Sequence, residues 1–279
     1  AKSLKERERN SWAAAAAGWR RQDALLRKGA APVTARMLER AGIRAGHRVL
    51  DIASGTGEPA LSAAALTGDS GCVIGTDLVE EMLAFAREKA QQAGLGNIEF
   101  RCVDGELLAL EAATFDAVTN RWGLMFMPEP KACLAAAHAA LKPGGRIVLA
   151  CWTTPDQNPF VGLIMETLAD YMAIPQPPPG TPGIFAFADP ERLQSVLESA
   201  GFDAIELETL EVDVIEVADG RCYWEVMSDL AAPVMLLVRQ LDPATRAAFI
   251  EDVIARADTL KQDDSLRMRG TTWIASASK

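Results

Sequence analysis

The chain has 279 residues and a formal charge of −10, from 28 Lys+Arg and 38 Asp+Glu, with 49% hydrophobic and 24% charged residues. That length allows one large or two modest domains, and the composition can bury a proper core. The acidic balance disfavours a nucleic-acid partner, since neutralising phosphates needs a basic face, and no apolar run approaches the roughly 20 residues of a membrane helix. Residues 1–10 are charged and lack the apolar core of a secretion signal, so a cytoplasmic chain is expected.

From residue 47 to 152, short β-branched runs alternate with helical stretches, the pattern of a parallel sheet with crossover helices. Residues 47–53 (HRVLDIA) read as a first buried strand and 54–57 as a tight turn. Residues 58–67 read as a helix with Pro59 in its first turn. A second strand is expected at 72–77 (CVIGTD). Residues 79–93 (VEEMLAFAREKAQQA) carry apolar side chains at helical spacing, and Gly94 closes that helix. A third strand follows at 97–103 and a fourth at 115–120, then a helix over 128–141. Lys142-Pro143-Gly144-Gly145 ends it before a fifth strand at 146–152.

The regularity then breaks. Residues 153–188 hold seven prolines, including Pro177-Pro178-Pro179, around a helical stretch at 160–172. A long segment of this kind usually serves as a lid or binding loop. Asp189-Pro190-Glu191 opens a capped helix that Gly201 closes. Residues 205–217 (IELETLEVDVIEV) alternate apolar and acidic side chains, as a half-exposed strand should. A second helical insertion spans 218–261, and 271–277 (TTWIASA) can return as a last strand. The expected organisation is an N-terminal helical cap over residues 1–45 and one α/β domain over 46–279, with insertions at 153–188 and 218–261. The apolar content of these additions would suit a homodimer.

Asp51-Ile-Ala-Ser-Gly55-Thr-Gly57 lies between a strand and a helix, where glycines let backbone approach a ligand and the helix offers unpaired N–H groups. Asp77 ends the next strand, 20 residues beyond Gly57, where a carboxylate can accept both hydroxyls of a ribose. Asp104-Gly105 ends the third strand. All three acids stand at carboxyl ends of parallel strands, the edge where open α/β sheets bind ligands. Gly55-x-Gly57-x-x-Ala60 satisfies a dinucleotide pattern, so a nicotinamide oxidoreductase is one reading. Asp51 counts against it, because it sets a carboxylate beside a pyrophosphate. A cationic nucleoside, S-adenosylmethionine, removes that conflict.

Over VLDIASGTG (49–57), GTDLVEEML (75–83), Asp104, FDAVTN (115–120) and LKPGGRIVLACW (141–152), the sequence resembles the class I S-adenosylmethionine-dependent methyltransferases. GLMFMPEP (123–130) and FADPERLQSVLESAGF (187–202) resemble more narrowly the ubiquinone/menaquinone-biosynthesis type and its small-molecule relatives. The resemblance implies a Rossmann-like, seven-stranded, mostly parallel sheet with helices on both faces and one antiparallel strand, which 271–277 could supply. It implies that Asp51 and Gly55 to Gly57 flank the methionine part, with Ala53 and Ser54 also at the cofactor, and that Asp77 holds the ribose hydroxyls. Leu78 and Met82 would pack near the adenosine. Asp104 would meet the adenine amino group beside Gly105 and Glu106, and Asn120, Arg121 and Trp122 would lead toward the methyl group. The sequence departs from the pattern at Ala53, often a glycine, and at Asn120-Arg121-Trp122, so the acceptor stays open.

The remaining chemistry is sparse. Five cysteines (Cys72, Cys102, Cys133, Cys151, Cys222) are odd in number and form no CxxC pair, against a disulfide framework or a metal site. Cys72, Cys102 and Cys151 fall in strand-like runs, where a thiol acts as a small hydrophobe. His47 precedes the first strand at the wrong edge, and His138 suits a solvated or capping role; neither reads as a base. Glu106, Tyr171 and Tyr223 could each take a proton, with no spacing to choose among them. Trp12 and Trp19, seven residues apart, share one helix face: either core packing or a tryptophan closing over the cofactor. Apolar side chains from Trp122 to Phe187 would be mostly core, with some lining a substrate pocket. Arg121 is the favoured substrate contact, since a loop arginine can hold a carboxylate or phenolate. Methyl transfer to oxygen, carbon or nitrogen of a small, largely apolar acceptor follows. A protein that binds S-adenosylmethionine for other chemistry is the second alternative.

Overall fold

The computed structural model describes residues 2–174, 178 and 180–279; of the proline run, Pro177 and Pro179 lie outside that set. Its strands are β1 (Arg48–Ile52), β2 (Cys72–Asp77), β3 (Ile98–Cys102), β4 (Phe115–Arg121), β5 (Leu141–Trp152), β6 (Asp203–Val217) and β7 (Leu266–Ser278). They form one sheet in the order β3-β2-β1-β4-β5-β7-β6. β1 to β5 pair in parallel, and β7 runs antiparallel to both β5 and β6. This is the Rossmann-like sheet expected above, with β7 as the inserted antiparallel strand.

The parallel strands are linked by α3 (Ala60–Thr67), α4 (Glu80–Gln92) and α5 (Pro130–Ala140). Helices on the sheet explain why β1, β4 and β5 read as continuous apolar runs: Val49, Leu50, Ala117, Val118, Ile147 and Leu149 are all buried. The chain leaves β1 toward β2 on one side and returns to β4 on the other. Strand order therefore reverses beside β1 and opens a crevice at its carboxyl end.

Four elements differ from expectation. β3 is an edge strand, so Cys102 is exposed rather than buried, and Glu99 and Arg101 pair along its outer face. β5 begins at Leu141, taking in the Lys-Pro-Gly-Gly turn through a register shift opposite β4. β7 begins at Leu266, five residues early. The helical insertion expected over 218–261 divides into three helices: α8 (Gly220–Leu230), α9 (Ala232–Val238) and α10 (Pro243–Asp258). Asp219 caps α8, and Asp242, followed by Pro243, caps α10 by accepting from the Ala244 and Thr245 amides.

Within the segment expected to form a lid, one helix packs into the core. α6 (Pro159–Ala169) buries Phe160, Val161, Ile164 and Leu168, and the Phe160 ring lies 4.7 Å from that of Trp152. α7 (Pro190–Ser199) is capped by Asp189, as its sequence predicts. His138, half-buried, stands in the last turn of α5 with its ring edge-on to Phe202 at 5.0 Å.

α1 (Lys2–Arg21) and α2 (Asp23–Arg40) pack outside the sheet. α1 crosses α8 so closely that a side chain at Gly18 would collide with the Asp229 carbonyl oxygen. Asp229 also takes two hydrogen bonds from Arg21, at 3.2 and 2.5 Å, and one from Gln22 at 2.9 Å. On the other side Arg20 grips Glu88 of α4, and Lys89 pairs with Asp23 at 2.6 Å. Among the described residues, no helix is long and apolar enough to cross a membrane.

Candidate cofactor site

A cavity lies over the carboxyl ends of β1, β2 and β4, roofed by α1. Its floor is built from Asp77, Asp104 and the turns at the strand ends, with Asp51 buried behind them.

The turn after β1 is held by Asp77, whose Oδ2 accepts the Gly55 amide at 2.8 Å while Oδ1 accepts that of Val79 at 2.9 Å. Gly55 (φ 51°) and Gly57 (φ 114°) take left-handed backbone, and a Cβ at Gly57 would meet Leu61 Cδ1 at 2.7 Å. Ala53 also adopts φ 58°, so the alanine that departs from the family pattern carries strain a glycine would not. Gly123 makes room for it, since a Cβ there would overlap that of Ala53. Burial pushes the Asp77 carboxyl up in pKa, against the pull of the Gly55, Val79 and Leu78 amides.

Asp51 is fully buried beneath this turn. Its Oδ1 accepts the Thr119 hydroxyl at 2.7 Å, while Oδ2 has no hydrogen-bond partner among the described residues. Desolvation pushes its pKa up to about 7, opposed by the Thr119 hydrogen bond, by the nearby Ser54 hydroxyl, which donates to the Asp51 main-chain carbonyl at 3.1 Å, and by the field of Arg121. A buried carboxylate with an orphaned oxygen has its charge best completed by a cation above it. A pyrophosphate would add like charge at that point. The residues present therefore suit a sulfonium- and ammonium-bearing nucleoside.

At the far end, Asp104 Oδ1 accepts the Glu106 amide at 2.9 Å, and Lys5 of α1 donates to Asp104 Oδ2 at 2.6 Å. Lys5 also pairs with Glu106, whose Oε1 accepts the Glu129 amide at 2.6 Å. Burial opposes the charge on Lys5, yet its two carboxylate partners hold its pKa up. Gly105 leaves the wall open, because a Cβ would meet Met127 Cε at 2.9 Å. Leu78 and Met82 line the cavity between these acids and the Asp77 turn.

The roof was only half legible in sequence. Trp19 lines the cavity as expected, but so do Lys5, Glu8 and Trp12 from the same helix face. The Trp12 ring meets Trp19 at 5.8 Å and Phe126 at 5.1 Å, both edge-on, so the pair packs and roofs at once. Lys5 and Glu8 sit in a run of alternating charge that reads as a solvated face; the helical spacing of three from Lys5 to Glu8 and four on to Trp12 was the available signal. Thr56, within the Gly55 to Gly57 turn, lines it too, as do Glu58, Phe126 and Met127, which the cofactor pattern does not mark.

Of the residues expected at the cofactor, Ala53, Ser54, Gly55, Asp77, Leu78, Met82, Asp104, Gly105, Glu106, Arg121 and Trp122 line the cavity with Trp19; Asp51, Gly57 and Asn120 do not. Asp51 and Gly57 lie just behind the wall. Asn120 is turned into the protein: its Nδ2 donates to the Ile52 carbonyl at 2.9 Å, and its Oδ1 accepts the Leu124 amide at 2.8 Å. It shapes the turn after β4 instead of reaching a ligand. Trp122 stands on that turn at φ 58°, stacked 4.3 Å from Trp152 and donating to Thr272 at 3.0 Å. Two of the three acid–base candidates are likewise occupied elsewhere. Tyr223 donates to the Phe160 carbonyl at 2.8 Å and burial drives its pKa up, while Tyr171 faces Asp252 of α10. No residue of 153–188 or 218–261 lines the cavity among the described residues.

The family model matching residues 43–205 is that of a methyltransferase domain. A ubiquinone/menaquinone biosynthesis C-methyltransferase of Teredinibacter turnerae is 32% identical over 183 residues, covering 59% of this chain and 70% of that protein. The fold matches that of Haemonchus contortus phosphoethanolamine N-methyltransferase 2 solved with S-adenosylhomocysteine, with TM-score 0.55, 19% identity, and 89% of this chain and 53% of that one covered. It also matches the cyclase SpnF, at TM-score 0.55 and 24% identity, over 89% of this chain and 80% of that one. The chain belongs to the methyltransferase-domain family, and it is an S-adenosylmethionine-dependent methyltransferase.

Proposed function

We propose that the enzyme methylates a carbon or oxygen atom of a small, largely apolar molecule, with the cofactor lying along the roofed cavity. The observation that carries this reading is the wall beside the β1 and β4 turns. There Trp12, Trp19, Trp122, Phe126 and Met127 line the cavity. The similarity to C-methyltransferases supports a carbon acceptor as the first to try.

In this arrangement Asp77 takes the ribose hydroxyls and Asp104 the adenine amino group, with Lys5 moving off Asp104 to free it. Leu78 and Met82 enclose the base. Asp51, under the Gly55 turn, supplies negative potential for the ammonium and sulfonium charges. When bound, S-adenosylmethionine supplies an electrophilic methyl group whose bonding pair stays on sulfur as the methyl leaves. The aromatic wall excludes water and holds the acceptor in line, which accounts for much of the rate such a site needs. Glu106 is the one candidate base that lines the cavity, but it lies at the adenine end and is committed to Lys5 and the Glu129 amide. An acceptor that is acidic, or already ionised, needs no protein base.

Calorimetric titration with S-adenosylmethionine, S-adenosylhomocysteine and NAD tests the site. We expect micromolar binding of the first two and none of NAD. In Asp77→Ala the affinity should fall by roughly 100-fold, because two amides and a ribose lose one buried acceptor. Unchanged binding in that variant would remove Asp77 from the site. A labelled methyl group then reports acceptors directly, and cofactor binding without any methyl transfer to carbon or oxygen would overturn the functional reading.

A further inference from the structure

Arg121 ends β4 with its guanidinium set back from solvent, and burial pushes its pKa down against the fields of Glu58, Asp51 and Asp23. Arginines nearer the surface, such as Arg36, Arg40, Arg87 and Arg256, each hold a carboxylate. Arg121 holds none within 4.0 Å among the described residues, and its hydrogen bond goes to the Thr34 hydroxyl at 2.6 Å. Its carbon centre lies 5.1 Å from the centre of the Trp122 ring, over its face. A guanidinium has five N–H donors, and a desolvated one with most of them free is poised for an oxyanion.

A second cavity opens to the surface between α2 and α3, walled by Ala31, Ala35, Leu38, Ala65 and Leu66. Arg121 and Glu58 are the residues it shares with the cofactor cavity, so this pair borders both spaces. Glu58 Oε2 accepts the Ser62 amide at 3.3 Å and leaves the Arg121 donors untouched. Arg27, at the exposed rim, is a second cation along the same path.

We propose that Arg121 binds an oxyanion of the methyl acceptor, a carboxylate or an ionised phenol, and that the acceptor's apolar body lies in the cleft between α2 and α3. The proposal rests on the methyltransferase reading of the neighbouring cavity and adds the chemical class of its acceptor. Glu58, which borders the same two spaces, restricts the site to monoanions, because a phosphate dianion would face it at close range. The apolar cleft walls select an aromatic or aliphatic body over a sugar or nucleotide.

The test is calorimetry of the full chain with benzoate, benzamide and phenyl phosphate, run with and without saturating S-adenosylhomocysteine. Benzoate should bind at least about tenfold more tightly than benzamide or phenyl phosphate. In Arg121→Gln that ratio between benzoate and benzamide should collapse to about one, a charge-specific change that general loosening of the site would not produce. Ala35→Trp, on the exposed side of α2, should weaken benzoate by about tenfold and leave S-adenosylhomocysteine affinity unchanged. The proposal is overturned by a ratio near one in the unmodified chain, by a ratio preserved in Arg121→Gln, or by no benzoate binding up to about 50 mM. It is also overturned if phenyl phosphate binds best. Failure of S-adenosylhomocysteine to bind would sink the cofactor reading instead, while the arm without it still reports on Arg121.

Discussion

The floor and the roof of the cofactor cavity are built over different distances along the chain. The floor is closed by bonds such as Gly55 to Asp77, 22 residues apart, and Ser54 to the Thr76 carbonyl. The roof is closed by Lys5 on Asp104, 99 residues away, and by Arg21 and Trp19 on α8, 208 and 211 residues away. The floor is therefore specified by a short stretch of sequence, whereas the roof exists only once the whole domain has folded. This predicts a preformed floor and a roof whose opening admits the cofactor.

The sharpest way to test the floor is the charge on Asp51. Its pKa of about 7 in the fold stands above its ordinary 3.8, so the folded protein holds a proton that the unfolded chain releases. Stability of the ligand-free enzyme should fall as pH rises from about 4 to 7, by up to about 4 kcal/mol, and stay low above that. Asp51→Asn should remove this slope in denaturant melts. Cofactor affinity should run the opposite way, rising about tenfold per pH unit below 7, because the cation favours the ionised carboxylate. A pH-independent affinity would mean that the cofactor does not sense Asp51.

The roof can be broken separately. Trp12→Ala deletes the ring that meets Trp19 and Phe126, and should lower stability by about 1–3 kcal/mol. Stopped-flow fluorescence should show S-adenosylhomocysteine leaving about tenfold faster, with the Asp51-dependent pH profile unchanged. A shifted profile would mean that floor and roof are one cooperative unit. The smallest effect should come from Ala53→Gly, which relieves a left-handed alanine and should raise stability by up to about 1 kcal/mol with no change in cofactor release.

Legibility followed the same division. The Asp51-to-Gly57 turn, Asp77 and Asp104 were readable because each combines a strand end with a residue type whose chemistry is local. Asn120 was misjudged from the same logic: its position at the end of β4 is right, but an amide that both donates and accepts satisfies the turn itself. The prolines of 153–188 suggest a lid, although the helical stretch within that segment, FVGLIMETLA, carries enough apolar surface for the packed helix that α6 is. Arg121 was singled out as a loop cation; its missing carboxylate and its place between two cavities depend on α2 and α3, which no local pattern reports.

Alternating periodicities, glycine turns and strand-end acids determined the α/β sheet, its cofactor edge and the family, because these signals act within a few residues of where they are written. The tertiary structure alone decided which helix roofs the cavity, which acid lies buried with an unpaired oxygen, and which arginine lacks a partner. Desolvation and ion pairing depend on every group that surrounds a charge, and those groups come from segments 100 to 200 residues apart.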